Sequence, residues 1–172
     1  MEAIRQLPDF AAFLPPTPCV AEDLVRCLQE ARRLFVVQCE SSIILAQAAL
    51  DGARSLADQM LEFDALVLLG QAQQELQQTQ DAFGNFSIAL QIGKKLAQPK
   101  LQSICHVGLA LCYQNQRQTQ KSLQAWLNAL ELAQQTDDVG CFIQSYLGIA
   151  HVFVQHENFE QAFYYQSQAM EW

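Results

Sequence analysis

Three histidines, six cysteines and paired carboxylates such as Asp137-Asp138 are the residues of this 172-residue chain that could carry chemistry. His151 and His156 stand five apart, which puts them on different faces of a helix, whereas a helical metal pair needs four-residue spacing. Cys19, Cys27, Cys39, Cys105, Cys112 and Cys141 contain no C-x-x-C pair and no regular framework, so neither a zinc site nor disulfides are expected. Cys105 and Cys112 are two helical turns apart, where reduced thiols serve as small apolar fillers. Asp137-Asp138 fall at the expected start of a helix, and capping of free N–H groups accounts for them without catalysis. No G-x-x-x-x-G-K-[ST], G-x-G-x-x-G or G-x-S-x-G run is present, and the glycines are scattered. The expectation is a chain with no catalytic residue, no metal and no cofactor.

Composition narrows the class of partner. Apolar residues make up 51% and charged residues 16%, so a continuous core can form and glutamine takes many solvent positions. A formal charge of −8 disfavours nucleic acid and anionic membrane, which both require clustered Lys and Arg. Arg26, Arg32 and Arg33 form the one basic cluster, and a solvated helix face explains it better than a phosphate site. The apolar stretch from Phe10 to Leu14 stops at Pro15-Pro16, too short for a signal peptide, and no run reaches membrane-spanning length. These features predict a reduced, soluble, cytoplasmic protein.

The elements that must position these residues follow a period of 40. Leu66-x-x-Leu69-Gly70, His106-x-x-Leu109-Ala110 and Tyr146-x-x-Ile149-Ala150 superimpose, as do Ala82-x-x-x-Phe86-x-x-Ala89, Ser122-x-x-x-Trp126-x-x-Ala129 and Ala162-x-x-x-Gln166-x-x-Ala169. Such a period marks stacked helix hairpins, each burying its apolar face against its neighbours. Asp58, Gln98 and Asp138 share the register of helix starts, with Pro99 at a first helical position. Hairpins are expected near 21–57, 58–97, 98–137 and 138–172, in a single domain. Leu24, Leu28, Ala31, Leu34 and Phe35 would line the first helix, and Ile43, Ile44, Ala46, Ala49 and Leu50 the second. Residues 1–20 form an extension whose prolines (Pro8, Pro15, Pro16, Pro18) oppose regular helix.

The repeat resembles the tetratricopeptide repeat. Tyr146, Ile149-Ala150, Phe153, Phe159, Ala162 and Ala169 occupy that family's aromatic, Leu-Gly, Tyr, Tyr, Ala and Ala places, and the two earlier units match in register. The resemblance runs from about residue 40 onward and implies an all-α right-handed superhelix (α-solenoid) of antiparallel hairpins, about four repeats long. In that packing Gly70, Ala110 and Ala150 face Ala82, Ser122 and Ala162, while Phe86 and Trp126 fill the gap between consecutive hairpins. The family period is 34; a period of 40 is closer to arrays of MalT-like activators, peptide-sensing regulators and GGDEF diguanylate cyclases. Trp172 stands where Ile92 and Leu132 do, in mid-helix, which suggests that the chain continues or that another copy covers this end.

The same resemblance implies a concave groove lined by the first helix of each hairpin. Its positions are Asp64, Val67, Gln71, Gln74 and Glu75, then Ile104, Val107, Leu111, Gln114 and Asn115, then Gln144, Leu147, His151, Val154 and Gln155. An apolar stripe flanked by amides suits a helical or extended peptide. Val67 and Gln71 stand where clamp-type members carry Lys and Asn, so capture of a C-terminal carboxylate is not expected. His106 takes an aromatic packing place, and His151 points into the groove. The implied partner is a protein or peptide, or a second copy of the chain, with no nucleic acid and no membrane. A regulatory arm of a larger bacterial signalling protein is the favoured role, ahead of a free-standing scaffold and of a receptor for a peptide or small ligand.

Overall fold

A computed structural model describes residues 10–16 and 20–171, and among these there are eight α-helices and no strand. The helices are α1 (Ala21–Phe35), α2 (Cys39–Ser55), α3 (Gln59–Glu75), α4 (Thr79–Lys95), α5 (Pro99–Asn115), α6 (Thr119–Thr136), α7 (Val139–Gln155) and α8 (Phe159–Met170). Trp172, Pro8, Pro18 and Cys19, which entered the sequence expectations, lie outside the described residues.

Every helix from α2 onward begins one position after a polar residue, and these N-caps recur every 20 residues: Gln38, Asp58, Gln78, Gln98, Gln118, Asp138 and Asn158. Asp58 Oδ1 accepts from the N–H groups of Met60 and Leu61, and Asp138 Oδ1 accepts from Cys141 N–H. The residue before each cap, from Ala57 to Glu157, is left-handed: Ala57, Gln77, Ala97, Arg117, Asp137 and Glu157 all have φ between 50° and 59°. At five of these turns the cap residue's own N–H returns to a carbonyl five positions back, as in Gln118 N to Tyr113 O at 2.9 Å. That bond closes a Schellman turn. One short turn thus ends each helix and starts the next, whether the two helices belong to one hairpin or to two.

Contacts gather the chain into two compact units, Met1–Gln77 and Gln78–Trp172, with the division at the turn between α3 and α4. It falls inside the hairpin expected over 58–97. In the first unit α1 and α2 pair and α3 packs on α2. Leu24, Leu28, Ala31 and Leu34 are buried as expected, while Phe35 is only half-buried. On α2 the buried face is Ser41, Ser42, Leu45, Ala46, Ala49 and Leu50; Ile43 is half-buried and Ile44 exposed, a shift of that face from the expected one. Residues Phe10–Phe13 form a short 3-10 turn beside α1. Leu14, Pro15 and Pro16 then line a hollow with Ala48, Asp51, Gly52 and Ser55 of α2.

In the second unit α5 pairs with α6 and α7 with α8, α4 packs on α5, and α6 on α7. Ser122 Oγ donates to Ala110 O (3.0 Å), and Ser103 Oγ donates to Ala129 O (2.9 Å), so the small residues of the repeat bring α5 and α6 into hydrogen-bonding reach. The packing between hairpins rests on glycines. A Cβ placed on Gly108 would lie 2.5–2.6 Å from three ring atoms of buried Phe86, and one on Gly148 would collide with the indole of buried Trp126. In the first unit the equivalent positions, 40 residues earlier, are Ala46 and Leu68, both buried, with the sizes exchanged.

Candidate functional site

The expected binding positions lie on α3 in the first unit and on α5 and α7 in the second. In the first unit Asp64 is half-buried and pairs with Arg32 of α1, the guanidinium standing 3.5 Å from its carboxylate. Desolvation raises the Asp64 pKa, and Arg32 opposes that rise. Gln71 and Glu75 are exposed, and Val67 and Gln74 half-buried. The other two arginines of the basic cluster are also paired, Arg26 with Asp23 and Arg33 with Glu30. Arg32 was the partner missed by sequence reasoning, since only the packing of α1 on α3 brings it to Asp64.

In the second unit α5 and α7 lie side by side. Leu111, Leu147 and Val154 are exposed, with Asn115, Gln144, His151 and Gln155 around them. Gln114 Nε2 lies 3.1 Å from His151 Nδ1, so the two helices are joined by a hydrogen bond within the expected site. Ile104 is half-buried against the core.

Val107 departs from the expectation. It is buried in a core cluster with Trp126, Cys141, Phe142 and Ile149, so α7 covers it and it cannot meet a ligand.

Charge is distributed unevenly over this surface. Neither α5 nor α7 contains an Asp or Glu, although the chain carries 18 such residues in all. Lys100, at the start of α5, pairs with Asp138 at 3.2 Å. The surface is therefore neutral, apolar at its centre and rich in amides, with no acid–base pair. Among the described residues no group of three His, Cys, Asp or Glu could hold a metal ion. His106, half-buried, has its pKa lowered by desolvation and by Lys94, in keeping with a packing role. Cys27, Cys39, Cys105 and Cys141 are in no disulfide, and the Cys27 and Cys39 thiols donate to the carbonyls of Leu45 and Phe35. Burial pushes Cys105 up to about 12 and Cys27 up to about 11. No helix among the described residues is long and apolar enough to cross a membrane.

No family model and no curated protein matches the chain. Solved structures do. Aspartyl phosphate phosphatase F from Bacillus subtilis is 18% identical with a TM-score of 0.79, over 87% of this chain and 40% of its own. A Rap protein complexed with competence and sporulation factor is 11% identical with a TM-score of 0.81, over 87% and 42%. The TPR domain of Arabidopsis FLU is 18% identical with a TM-score of 0.61, over 66% and 95%. The chain spans less than half the length of the first two. At these identities the likeness establishes the fold, which is tetratricopeptide-like and all-α.

Proposed function

We propose that this chain is a protein- or peptide-binding module that works through the α5–α7 surface and carries no catalysis of its own. The observation that carries this reading is the exposure of Leu111, Leu147 and Val154 among amides, on two helices free of carboxylate. Apolar side chains of a ligand would settle on the three aliphatic residues. Gln114, Asn115, Gln144 and Gln155 would serve its backbone groups without demanding charge. The module acts in the cytoplasm, as the regulatory arm of a larger bacterial signalling protein such as a GGDEF diguanylate cyclase. Ligand binding or self-association there changes the output of an attached domain.

Immobilised chain should retain a stoichiometric partner from a lysate of its source, and a Leu111→Glu/Leu147→Glu variant should lose it while folding normally. Equal retention by both proteins would refute the assignment to this surface. A reading frame encoding no second domain would leave the binding module standing as a scaffold and remove the regulatory arm. A receptor for a peptide or small ligand gains some support from the neighbour solved with competence and sporulation factor. His151→Ala should then lower the affinity of any ligand found by thermal shift.

A further inference from the structure

A cavity of about 220 Å³ opens at the junction of α6 and α7, between Ala133, Gln134, Asp137, Asp138, Val139 and Phe142. Most ligand pockets measure ~300–1,000 Å³, so this one suits a single side chain. Ala133 and Phe142 are buried, Val139 is exposed, and together they give it apolar walls. Asp137 and Asp138 add two carboxylates. Both oxygens of Asp138 are engaged, one by Cys141 N–H and the other by the Lys100 ammonium at 3.2 Å. Asp137 is exposed and, among the described residues, pairs with no cation.

The repeat register shows what this junction lacks. Gln134 and Phe142 correspond to Lys94 and Gln102 at the α4–α5 junction, and to Arg54 and Glu62 at the α2–α3 junction. There Arg54 Nε donates to Glu62 Oε1 at 2.9 Å, and Gln102 Nε2 donates to Gly93 O at 3.4 Å. Phe142 can make neither bond. A helix C-terminus favours a cation, and α2 and α4 supply their own in Arg54 and Lys94-Lys95, whereas the last turn of α6 has none. At the place of Asp137 the earlier junctions carry Ala57 and Ala97. The third junction has therefore lost the chain's own cation at the position beside which it gains a carboxylate.

Further helices do not close this edge of the array. At the α4–α5 junction, which α6, α7 and α8 all follow, Lys94, Ala97 and Gln98 remain exposed. We propose that the α6–α7 cavity binds an arginine side chain presented by a partner protein. Its aliphatic stem packs against Ala133, Val139 and Phe142, and its guanidinium pairs with Asp137 beside the C-terminal end of α6. Arginine fits better than lysine, because its planar fork matches a carboxylate and stacks on an aromatic ring. The cavity is separate from the α5–α7 surface and does not depend on that surface's role.

The test uses the 172-residue chain and two blocked tripeptides, Ala-Arg-Ala and its citrulline counterpart, which keeps the shape but carries no charge. In an amide-resolved NMR titration the arginine peptide should give saturable shifts centred on residues 137–142. Asp137→Asn keeps a residue that tolerates the left-handed backbone at φ 50°, yet it should weaken binding by about tenfold. Gln134→Arg gives α6 the cation that α2 has in Arg54 and should block the cavity from within. Leu111→Glu on the other surface should leave binding unchanged. Circular dichroism would establish that the variants fold. Absence of a saturable shift, equal binding of the two peptides, or binding indifferent to both cavity variants would overturn the proposal. So would shifts produced by butylguanidinium and not by the arginine peptide, since the occupant would then be a free small cation.

Discussion

The indole of Trp126 fills the space that a side chain on Gly148 would need, so the contact between α6 and α7 depends on a large residue meeting no side chain at all. Helix propensity alone favours alanine over glycine at position 148 by about 1 kcal/mol. Steric conflict with a buried ring outweighs that gain. Gly148→Ala should lower stability by about 1–3 kcal/mol in denaturant unfolding, and Trp126→Ala by about 3–5 kcal/mol through the cavity it leaves.

The sign of the glycine substitution should then reverse. In a Trp126→Ala background, Gly148→Ala is expected to be neutral or to recover up to about 1 kcal/mol. Gly84 gives a control: a Cβ there meets nothing within 4 Å, so Gly84→Ala should stabilise by about 0.5–1 kcal/mol. Additive losses in the double variant would show that the two residues do not share one contact.

The left-handed turn residues offer a stabilising change. Ala97 has φ 51° and its N–H is bonded to Lys94 O at 3.0 Å, so its backbone is held in a conformation alanine disfavours. Ala97→Gly should raise the unfolding free energy by about 0.5–1 kcal/mol. The same change at Ala89, buried in mid-helix, should lower it. Thermal melting of the two variants should move in opposite directions.

Acid should act through Asp138. The Cys141 N–H, and then Lys100, hold its pKa below the ordinary 3.8. A carboxylate depressed on folding adds stability that is present above the unfolded value and disappears as pH falls through the folded one. Below about pH 4 the native chain should therefore lose stability more steeply than Asp138→Asn, which keeps a capping oxygen but cannot titrate. Parallel curves for the two proteins from pH 5 to 2 would contradict this.

Alkali and thiol reagents should report on Cys105. Its thiol is buried and neutral to about pH 12, whereas an unfolded thiol ionises near 9. Stability contributed by the neutral thiol is present at neutral pH and is lost as pH rises above 9. Among the described cysteines, alkylation at pH 8 followed by peptide mapping should find label on half-buried Cys39 first. Cys105 and Cys112 should react only once denaturant is added.

Small residues at fixed spacing made the helix hairpins legible, because Ala82, Ser122, Ala129 and Ala162 have no reason to recur except close packing. The caps were legible at Asp58 and Asp138, where the side chain itself bonds to the first turn. The turns were harder to read, since the usual glycine is missing and Ala, Gln, Arg, Asp and Glu adopt left-handed backbone instead. Gly108 and Gly148 looked scattered until Phe86 and Trp126 were placed over them. Val107 was misplaced for a related reason. Its neighbours in the register, Val67 and Leu147, remain at least partly open, and only the closeness of α7 to α5 closes the middle one.

Since one three-residue hinge design serves nearly every junction from Ala57 onward, the local backbone contains no sign of where a hairpin begins. Sliding the pairing by a single helix would leave almost all of those hinges intact. What forbids the slip is volume: the rings of Phe86 and Trp126 must find the bare glycines Gly108 and Gly148. Phase along the chain is thus written in side-chain size, so exchanging one helix for another would scramble the assembly even where every cap and turn survived.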